Sequence, residues 1–187
     1  KIEPPNGVKA DQRKRRYLEI IEKDKELCLG SYCFLWGQKQ ESTATWHGMF
    51  LSNGNPTEAV DVMQYCWTGE WPESRAPSIK DISLENIGWR KDHILDTSTK
   101  ATLNIEYNKY NNNKVIVEYI LFPEAFSNKI GGDIQKSPDP IEFEIVKKSE
   151  TELTFISPNK KGAYRLFAYV KNEIGQSSVA NIPFIVQ

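Results

Sequence analysis

Two patterns of hydrophobic and polar positions divide this chain. Before residue 76, apolar side chains fall either at helical spacing or in short continuous runs. After residue 77 they lie in short segments that often alternate with polar positions. The first pattern is typical of helices beside a covered strand, and the second of strands with one buried face. We predict an α/β region over 1–76 and an all-β domain over 77–187.

The α/β region begins with a predicted helix and strand. Residues 10–27 are highly charged, and their apolar positions form one stripe at helical spacing: Tyr17, Leu18, Ile20 and Ile21. The basic run 13–16 is followed closely by acidic side chains, which indicates a solvated helix face. Residues 28–37 (CLGSYCFLWG) are almost continuously apolar, which predicts a strand covered on both sides.

A second helix is predicted to begin at the sequence Asn-Pro-Thr-Glu. Asn55 can cap it, Pro56 suits the first helical position, and Glu58 completes a capping box. Gly69 is the expected C-terminal stop. The side chains expected to be buried are Val60, Met63 and Trp67.

The second region predicts seven short strands separated by Asn-, Gly- and Pro-rich turns. This number and spacing favour an immunoglobulin-like β-sandwich, although this region has no cysteine for the disulfide of immunoglobulin domains. The predicted strands are 79–87, 101–107, 114–122, 141–146, 152–156, 163–171 and 177–186.

Composition excludes several classes of partner. The 24 basic and 25 acidic residues give a net charge of −1, so a nucleic-acid-binding surface is not expected. No apolar run approaches the roughly 20 residues of a membrane span. Residues 1–5 hold no signal peptide and no starting Met, so we expect a processed or truncated start. Cys28, Cys33 and Cys66 favour buried small hydrophobic residues, and neither a metal site nor a cofactor is expected.

Residues 3–76 resemble the end of the catalytic barrel in glycoside hydrolases of the family 2 type, which includes β-galactosidases and β-glucuronidases. The resemblance rests on a helix with YLEII at 17–21, an apolar strand YCFLW at 32–36, the stretch HGMFL at 47–51, and a Pro-initiated helix over 56–65. The second half, above all 161–172 and 182–186, resembles a PKD-like or fibronectin-like module. The resemblance implies the closing segment of a (β/α) barrel followed by a β-sandwich.

The resemblance also implies what such a fragment lacks. Retaining glycosidases use two carboxylates about 5–5.5 Å apart. In this family they follow strands four and seven, so no catalytic residue is expected in this chain. Glu41 follows the predicted strand, but a solvated loop glutamate is the better interpretation, and His47 is expected to be a loop histidine without a partner.

The predicted substrate-binding residues are Trp36, Gln38, Gln40 and Trp46. The resemblance implies that Trp36, at the end of the last strand, forms an apolar platform beneath a sugar. A pyranose can pack a C–H face on an indole, while glutamine amides bind its hydroxyls. Trp46 lies on the loop beyond the strand. A core role for Trp36 is the alternative.

The expected function is therefore that of the C-terminal part of a glycoside hydrolase of β-linked sugars, with carbohydrate as the partner of the complete barrel. The first alternative is a non-catalytic module that binds polysaccharide or acts as a spacer. The second is a cell-surface interaction domain unrelated to sugars. The resemblance also implies export, so an extracellular or periplasmic location is expected.

Overall fold

The computed structural model describes residues 1–47, 49–126 and 134–187. Two helices precede the strands: α1 spans Asn6–Arg16 and continues into a π-helical turn at Tyr17–Ile21, and α2 spans Glu58–Thr68. Within the described residues, the nine strands are β1 (Ser78–Leu84), β2 (Ile87–Gly88), β3 (Ile94–Leu95), β4 (Lys100–Asn108), β5 (Val115–Pro123), β6 (Ile145–Lys148), β7 (Glu152–Ile156), β8 (Gly162–Asn172) and β9 (Ser177–Val186).

The strands form two sheets that face each other. One sheet has the order β2-β1-β4-β7-β6, and the other has the order β3-β9-β8-β5. All pairings within them are antiparallel except that of β3 with β9. One hydrophobic core lies between the sheets and takes side chains from both, so the architecture is a β-sandwich. Its largest fully buried side chains include Ile82, Leu103, Phe155, Leu166 and Ile182.

Each of the seven predicted strand regions overlaps a strand of the structure, and those at 152–156 and 177–186 have the predicted bounds, whereas 141–146 shares only residues 145 and 146 with β6. The alternation in β4 is the clearest example. Ala101, Leu103 and Ile105 are buried, whereas the residues between them are only partly buried. Successive side chains of a strand point to opposite faces of the sheet, so the alternation in the sequence indicates which face contacts the core.

The predicted helix over 10–27 is instead α1 over Asn6–Arg16 with its π-helical extension. No side chain in Tyr17–Ile21 is fully buried, and Tyr17 of the predicted apolar stripe packs against the small core formed by Met49, Ala59 and Met63. The N-terminal turn of α1 lies tightly against β1 at Gly7. A Cβ atom there would lie 2.4 Å from Ser78 Oγ and 2.6 Å from the Ile79 carbonyl oxygen.

Helix α2 forms where the sequence predicts a helix, and Gly69 ends it with a positive φ of 80°. The predicted start is wrong. Thr57, not Asn55, precedes the first helical residue, and the Thr57 hydroxyl donates a hydrogen bond to the Met49 carbonyl. The buried residues also differ, because Trp67 is half exposed while Ala59, Val62 and Met63 are buried.

The predicted strand over 28–37 does not form. These residues adopt turns and irregular conformations, and no strand among the described residues pairs with them. An isolated strand leaves its backbone N–H and C=O groups without partners, so a continuous apolar run alone cannot produce one. The three cysteines are free and half-buried rather than buried, and Cys33 and Cys66 pack against a small core around Met49.

A buried polar network attaches the N-terminal residues to the sandwich. Glu3 accepts hydrogen bonds from Thr43 (2.6 Å), Thr45 (2.9 Å) and Asn181 (2.7 Å). It also forms a 2.6 Å ion pair with Lys9. Because Asn181 lies on β9 and the other partners precede residue 46, this single carboxylate joins the two regions.

Arg165, on β8, extends the network. Its guanidinium binds both carboxylate oxygens of Glu124, at 2.7 and 2.8 Å. It also donates hydrogen bonds to Asn181 Oδ1 (2.5 Å) and to the Lys1 carbonyl (2.6 Å). A guanidinium has five N–H donors in a fixed plane, so it can hold a carboxylate, an amide and a main-chain oxygen simultaneously.

Candidate functional site

The segment after residue 26 carries the largest exposed apolar side chains of the N-terminal region. Leu29 is 99% exposed, Phe34 is 66% exposed, and Tyr32 is fully exposed. We call Tyr32, Phe34, Trp36 and Trp67 the aromatic surface. Of these rings, Trp36 and Trp67 contact each other, and exposed apolar patches mark sites of interaction.

Trp36 is held from two directions within the aromatic surface. Its ring centroid lies 5.4 Å from that of Phe50, with the planes nearly perpendicular, and 5.7 Å from that of Trp67. Trp36 nevertheless remains 53% exposed. It is therefore not a core residue of this chain, and its orientation is set by two neighbouring rings.

The two predicted glutamines lie in the loop after Trp36, and both amides already bind other groups of the chain. Gln38 Nε2 donates to the Ala44 carbonyl at 3.2 Å. Gln40 Oε1 accepts a hydrogen bond from Ser137 at 2.9 Å. Gln40 also lines a cavity of about 50 Å³ against β5 and β8, together with Phe122, Ser137 and Phe167. Gln40 therefore faces the sandwich.

Trp46 is partly buried, with the Lys1 ammonium 5.9 Å from its ring centroid. Its ring lies 6.4 Å from the His47 imidazole in an edge-on arrangement. Within residues 1–47, 49–126 and 134–187, no hydrogen bond or ring contact joins any two of the four predicted site residues. The structure therefore does not gather Trp36, Gln38, Gln40 and Trp46 into one cluster.

A polar pair that sequence reasoning treated as ordinary loop residues lies beside the aromatic surface. His47 Nε2 is 3.3 Å from Glu41 Oε1, and Lys39 Nζ is 2.8 Å from Glu41 Oε2. The hydrogen bonds from Lys39 and His47 hold the pKa of the Glu41 carboxyl below its ordinary value. The contact between Glu41 and His47 depends on the turn between them, so their spacing along the sequence does not predict it.

A second group of charged side chains lies where α2 meets the sandwich. The Arg75 guanidinium lies between the rings of Trp71 and Tyr110, 3.6 and 3.5 Å from their centroids. Tyr110 donates a 3.0 Å hydrogen bond to Glu58, which is almost fully buried. Burial raises the pKa of Glu58 above its ordinary value.

Asp61 lies one helical turn further along α2. It is 4% exposed and accepts a 2.7 Å hydrogen bond from the Ala76 N–H. Burial raises the pKa of Asp61 to about 6, against the opposing effects of this hydrogen bond and of Arg75. No described contact links Asp61 or Glu58 to the aromatic surface. We therefore assign this group to the attachment of α2 to the sandwich.

The described residues show neither a metal-binding cluster nor a membrane-spanning helix. They contain no group of three or more His, Cys, Asp or Glu side chains that could hold a metal ion. None of their helices is long and apolar enough to cross a membrane.

Comparison with known proteins gives a distant structural likeness. No protein-family model matches the sequence, and neither does any curated protein. Among solved structures, the chain is similar to the PmoD soluble domain from Methylocystis sp. ATCC 49242 (Rockwell), with 10% identity and a TM-score of 0.33. The match covers 63% of this chain and 95% of that one. At that TM-score the likeness supports no inference about function.

Proposed function

We propose that this chain is the C-terminal part of a glycoside hydrolase of β-linked sugars. In this proposal residues 1–76 complete a (β/α) barrel of the family 2 type, and an immunoglobulin-like or PKD-like sandwich follows. The catalytic carboxylates belong to other parts of the barrel, and the protein acts outside the cell or in the periplasm. The resemblance of 3–76 to the end of such a barrel is one support.

The observation that carries the proposal is the exposure of the segment from Leu27 to Trp36. A complete domain buries most of its large apolar side chains, and the sandwich does so. This segment instead presents leucine and aromatic side chains to solvent, and its backbone lacks strand partners among the described residues. Neighbouring strands and helices of a barrel would supply both the apolar cover and the hydrogen bonds.

Trp36 is the residue best suited to contact a sugar. Its half-exposed indole is fixed by Phe50 and Trp67, and a fixed aromatic face loses little conformational freedom when a pyranose packs on it. Gln38 and Gln40 are weaker candidates, because each already has a partner within the chain. Trp46 lies further along the loop and is partly buried beside Lys1.

Hydrolysis of nitrophenyl β-glycosides tests the proposal. The 187-residue chain and a form extended upstream to a complete barrel would be assayed side by side. We expect activity in the long form alone. In that form, Trp36→Ala should lower kcat/KM by about tenfold or more, as expected for a lost stacking contact. Phe126→Ala, which removes an exposed ring outside the aromatic surface, is the matched control.

Two results would contradict the proposal. Activity in the short chain would mean that it contains its own catalytic groups. Absence of activity in both forms would favour the alternative of a non-catalytic module.

A spacer role is the form of that alternative that the sandwich favours. The outer face of the five-stranded sheet carries polar side chains such as Thr102, Asn104 and Thr154, rather than a row of aromatic rings. Affinity electrophoresis of the chain in several polysaccharides separates the two module roles. Retarded migration would indicate binding, and unchanged migration would leave the spacer role.

A further inference from the structure

His47 combines a fixed orientation with access to solvent. Its ring packs edge-on against Phe34, with centroids 5.4 Å apart, and lies beside Trp46 at 6.4 Å. Its main-chain carbonyl accepts a 3.4 Å hydrogen bond from Arg13. About 30% of the side chain remains exposed.

Glu41 determines which imidazole nitrogen carries the proton. A carboxylate can only accept hydrogen bonds, so the contact between Glu41 Oε1 and His47 Nε2 requires a proton on Nε2. In the neutral imidazole, Nδ1 then has a free lone pair and acts as an acceptor. Among the described residues Nδ1 has no hydrogen-bond partner.

Main-chain hydrogen bonds join the turn that carries Trp36 to the residues that follow His47. The Gly37 carbonyl, next to Trp36, accepts hydrogen bonds from the N–H groups of Met49 (3.0 Å) and Phe50 (3.3 Å). His47 lies two residues before Met49, and its ring contacts Phe34, two residues before Trp36. The loop that carries His47 is thereby joined to the turn that carries Trp36.

We propose that His47 Nδ1 accepts a hydrogen bond from a hydroxyl of the sugar that packs on Trp36, and that Glu41 positions the ring for this contact. The inference rests on the proposed function, because it assigns a polar ligand to the same sugar site. Sugar binding commonly pairs an apolar face with hydroxyl partners of fixed direction, and such partners distinguish sugars that differ at one hydroxyl. His47 is then a specificity-determining residue.

Two substitutions separate this role from a structural one. His47→Asn can place an amide oxygen near the position of Nδ1 but cannot reach Glu41 as the imidazole does. His47→Gln can reach Glu41 through its amide nitrogen but leaves the Nδ1 position empty. If His47 binds the sugar, the Asn variant should keep most of the affinity, and the Gln variant should lose roughly three- to tenfold, as for one hydrogen bond. If His47 only supports the loop, the Gln variant should retain affinity better than the Asn variant.

The experiment is an NMR titration of the form extended to a complete barrel, with ¹⁵N-labelled histidine and tryptophan side chains, using methyl β-D-glucopyranoside, methyl β-D-galactopyranoside and methyl β-D-mannopyranoside. We expect the Nε2–H tautomer of His47 in the free protein. At least one sugar should then shift the His47 Nδ1 and Trp36 indole signals with a common dissociation constant.

The possible failures are distinguishable. A shift of Trp36 without a response at Nδ1, or retention of affinity by His47→Gln, would overturn the role of His47 and leave the proposed sugar site standing. The absence of any response at Trp36 with all three sugars would overturn both the sugar site and the role of His47.

Discussion

The sandwich and the N-terminal region bury their apolar side chains to very different extents. Leu166 on β8 is completely buried between the sheets, whereas Leu29 is 99% exposed. The N-terminal region has a small core of Met49, Ala59 and Met63, and its contacts with the sandwich include a network of buried polar groups. The sandwich therefore buries its hydrophobic side chains within itself. The segment around Leu29 is as apolar as a core, but no other part of the described chain covers it.

The largest expected effect comes from a matched pair of leucine truncations. Leu166→Ala should lower the free energy of unfolding by about 3–4 kcal/mol, because it leaves a cavity in a closed core. Leu29→Ala should change it by less than about 0.5 kcal/mol. Urea unfolding monitored by far-UV circular dichroism measures both. A loss of more than about 1 kcal/mol in Leu29→Ala would show that this segment packs against the fold in solution.

The attachment between the regions depends on Glu3. Glu3→Ala should cost about 3 kcal/mol, because four partners lose a common buried acceptor. Four of the five tryptophans lie before residue 72, so their fluorescence reports mainly on the N-terminal region, whereas circular dichroism reports mainly on the strands. We expect fluorescence to change at lower urea than circular dichroism in this variant. Coincident transitions would contradict separate unfolding, and Glu106→Ala, on the exposed face of β4, is the control.

The same carboxylate makes the attachment sensitive to acid. Burial alone would raise the pKa of Glu3, but Lys9 and the hydrogen bonds from Thr43 and Asn181 hold it below its ordinary value of 4.5. Its stabilising contribution is therefore complete above pH about 4.5 and is lost as the pH falls through the lower folded-state pKa. As the pH falls over this range, the free energy of unfolding measured by fluorescence should decrease more for the natural sequence than for Glu3→Ala.

Asp61 should produce the opposite pH dependence at the junction of α2 with the sandwich. Its pKa is raised from 3.8 to about 6, so the folded state binds this proton more tightly than the unfolded state does. That contribution is complete below pH about 4 and is lost as the pH rises through 6. Asp61→Asn cannot ionise and can still accept the Ala76 hydrogen bond.

Asp61→Asn should therefore raise the free energy of unfolding by about 2 kcal/mol at pH 7.5 and change it little at pH 4. Urea titrations at the two pH values provide the measurement, with the exposed Asp139→Asn as control. Equal effects at both pH values would rule out ionisation of Asp61 as the cause.

The smallest effect is expected from Arg75→Lys. Lysine keeps the charge beside Glu58 but cannot stack a flat guanidinium between Trp71 and Tyr110. We expect a loss of about 1 kcal/mol. If the lysine variant is as stable as the natural sequence, the stacked rings contribute nothing beyond the positive charge.

The sequence by itself determined the features that depend on neighbouring residues. The alternation at 101–107 predicted β4 and its buried face, and Gly69 predicted the end of α2 through its left-handed conformation. The strand β4 and the end of α2 are stabilised largely by local backbone conformation and by the burial of one face away from solvent. A single sequence contains both kinds of information.

The tertiary structure decided what depends on distant partners. The run 28–37 has the composition of a strand but forms none, because strand hydrogen bonds require a second strand that is not encoded within the segment. Gln40 binds Ser137, and Glu3 binds Asn181, across 97 and 178 residues. The Glu41–His47 pair arises from a turn whose shape no periodicity describes. Such contacts depend on where separate elements pack, and this is why they emerged only from the folded chain, whereas Trp36 was already a predicted site residue.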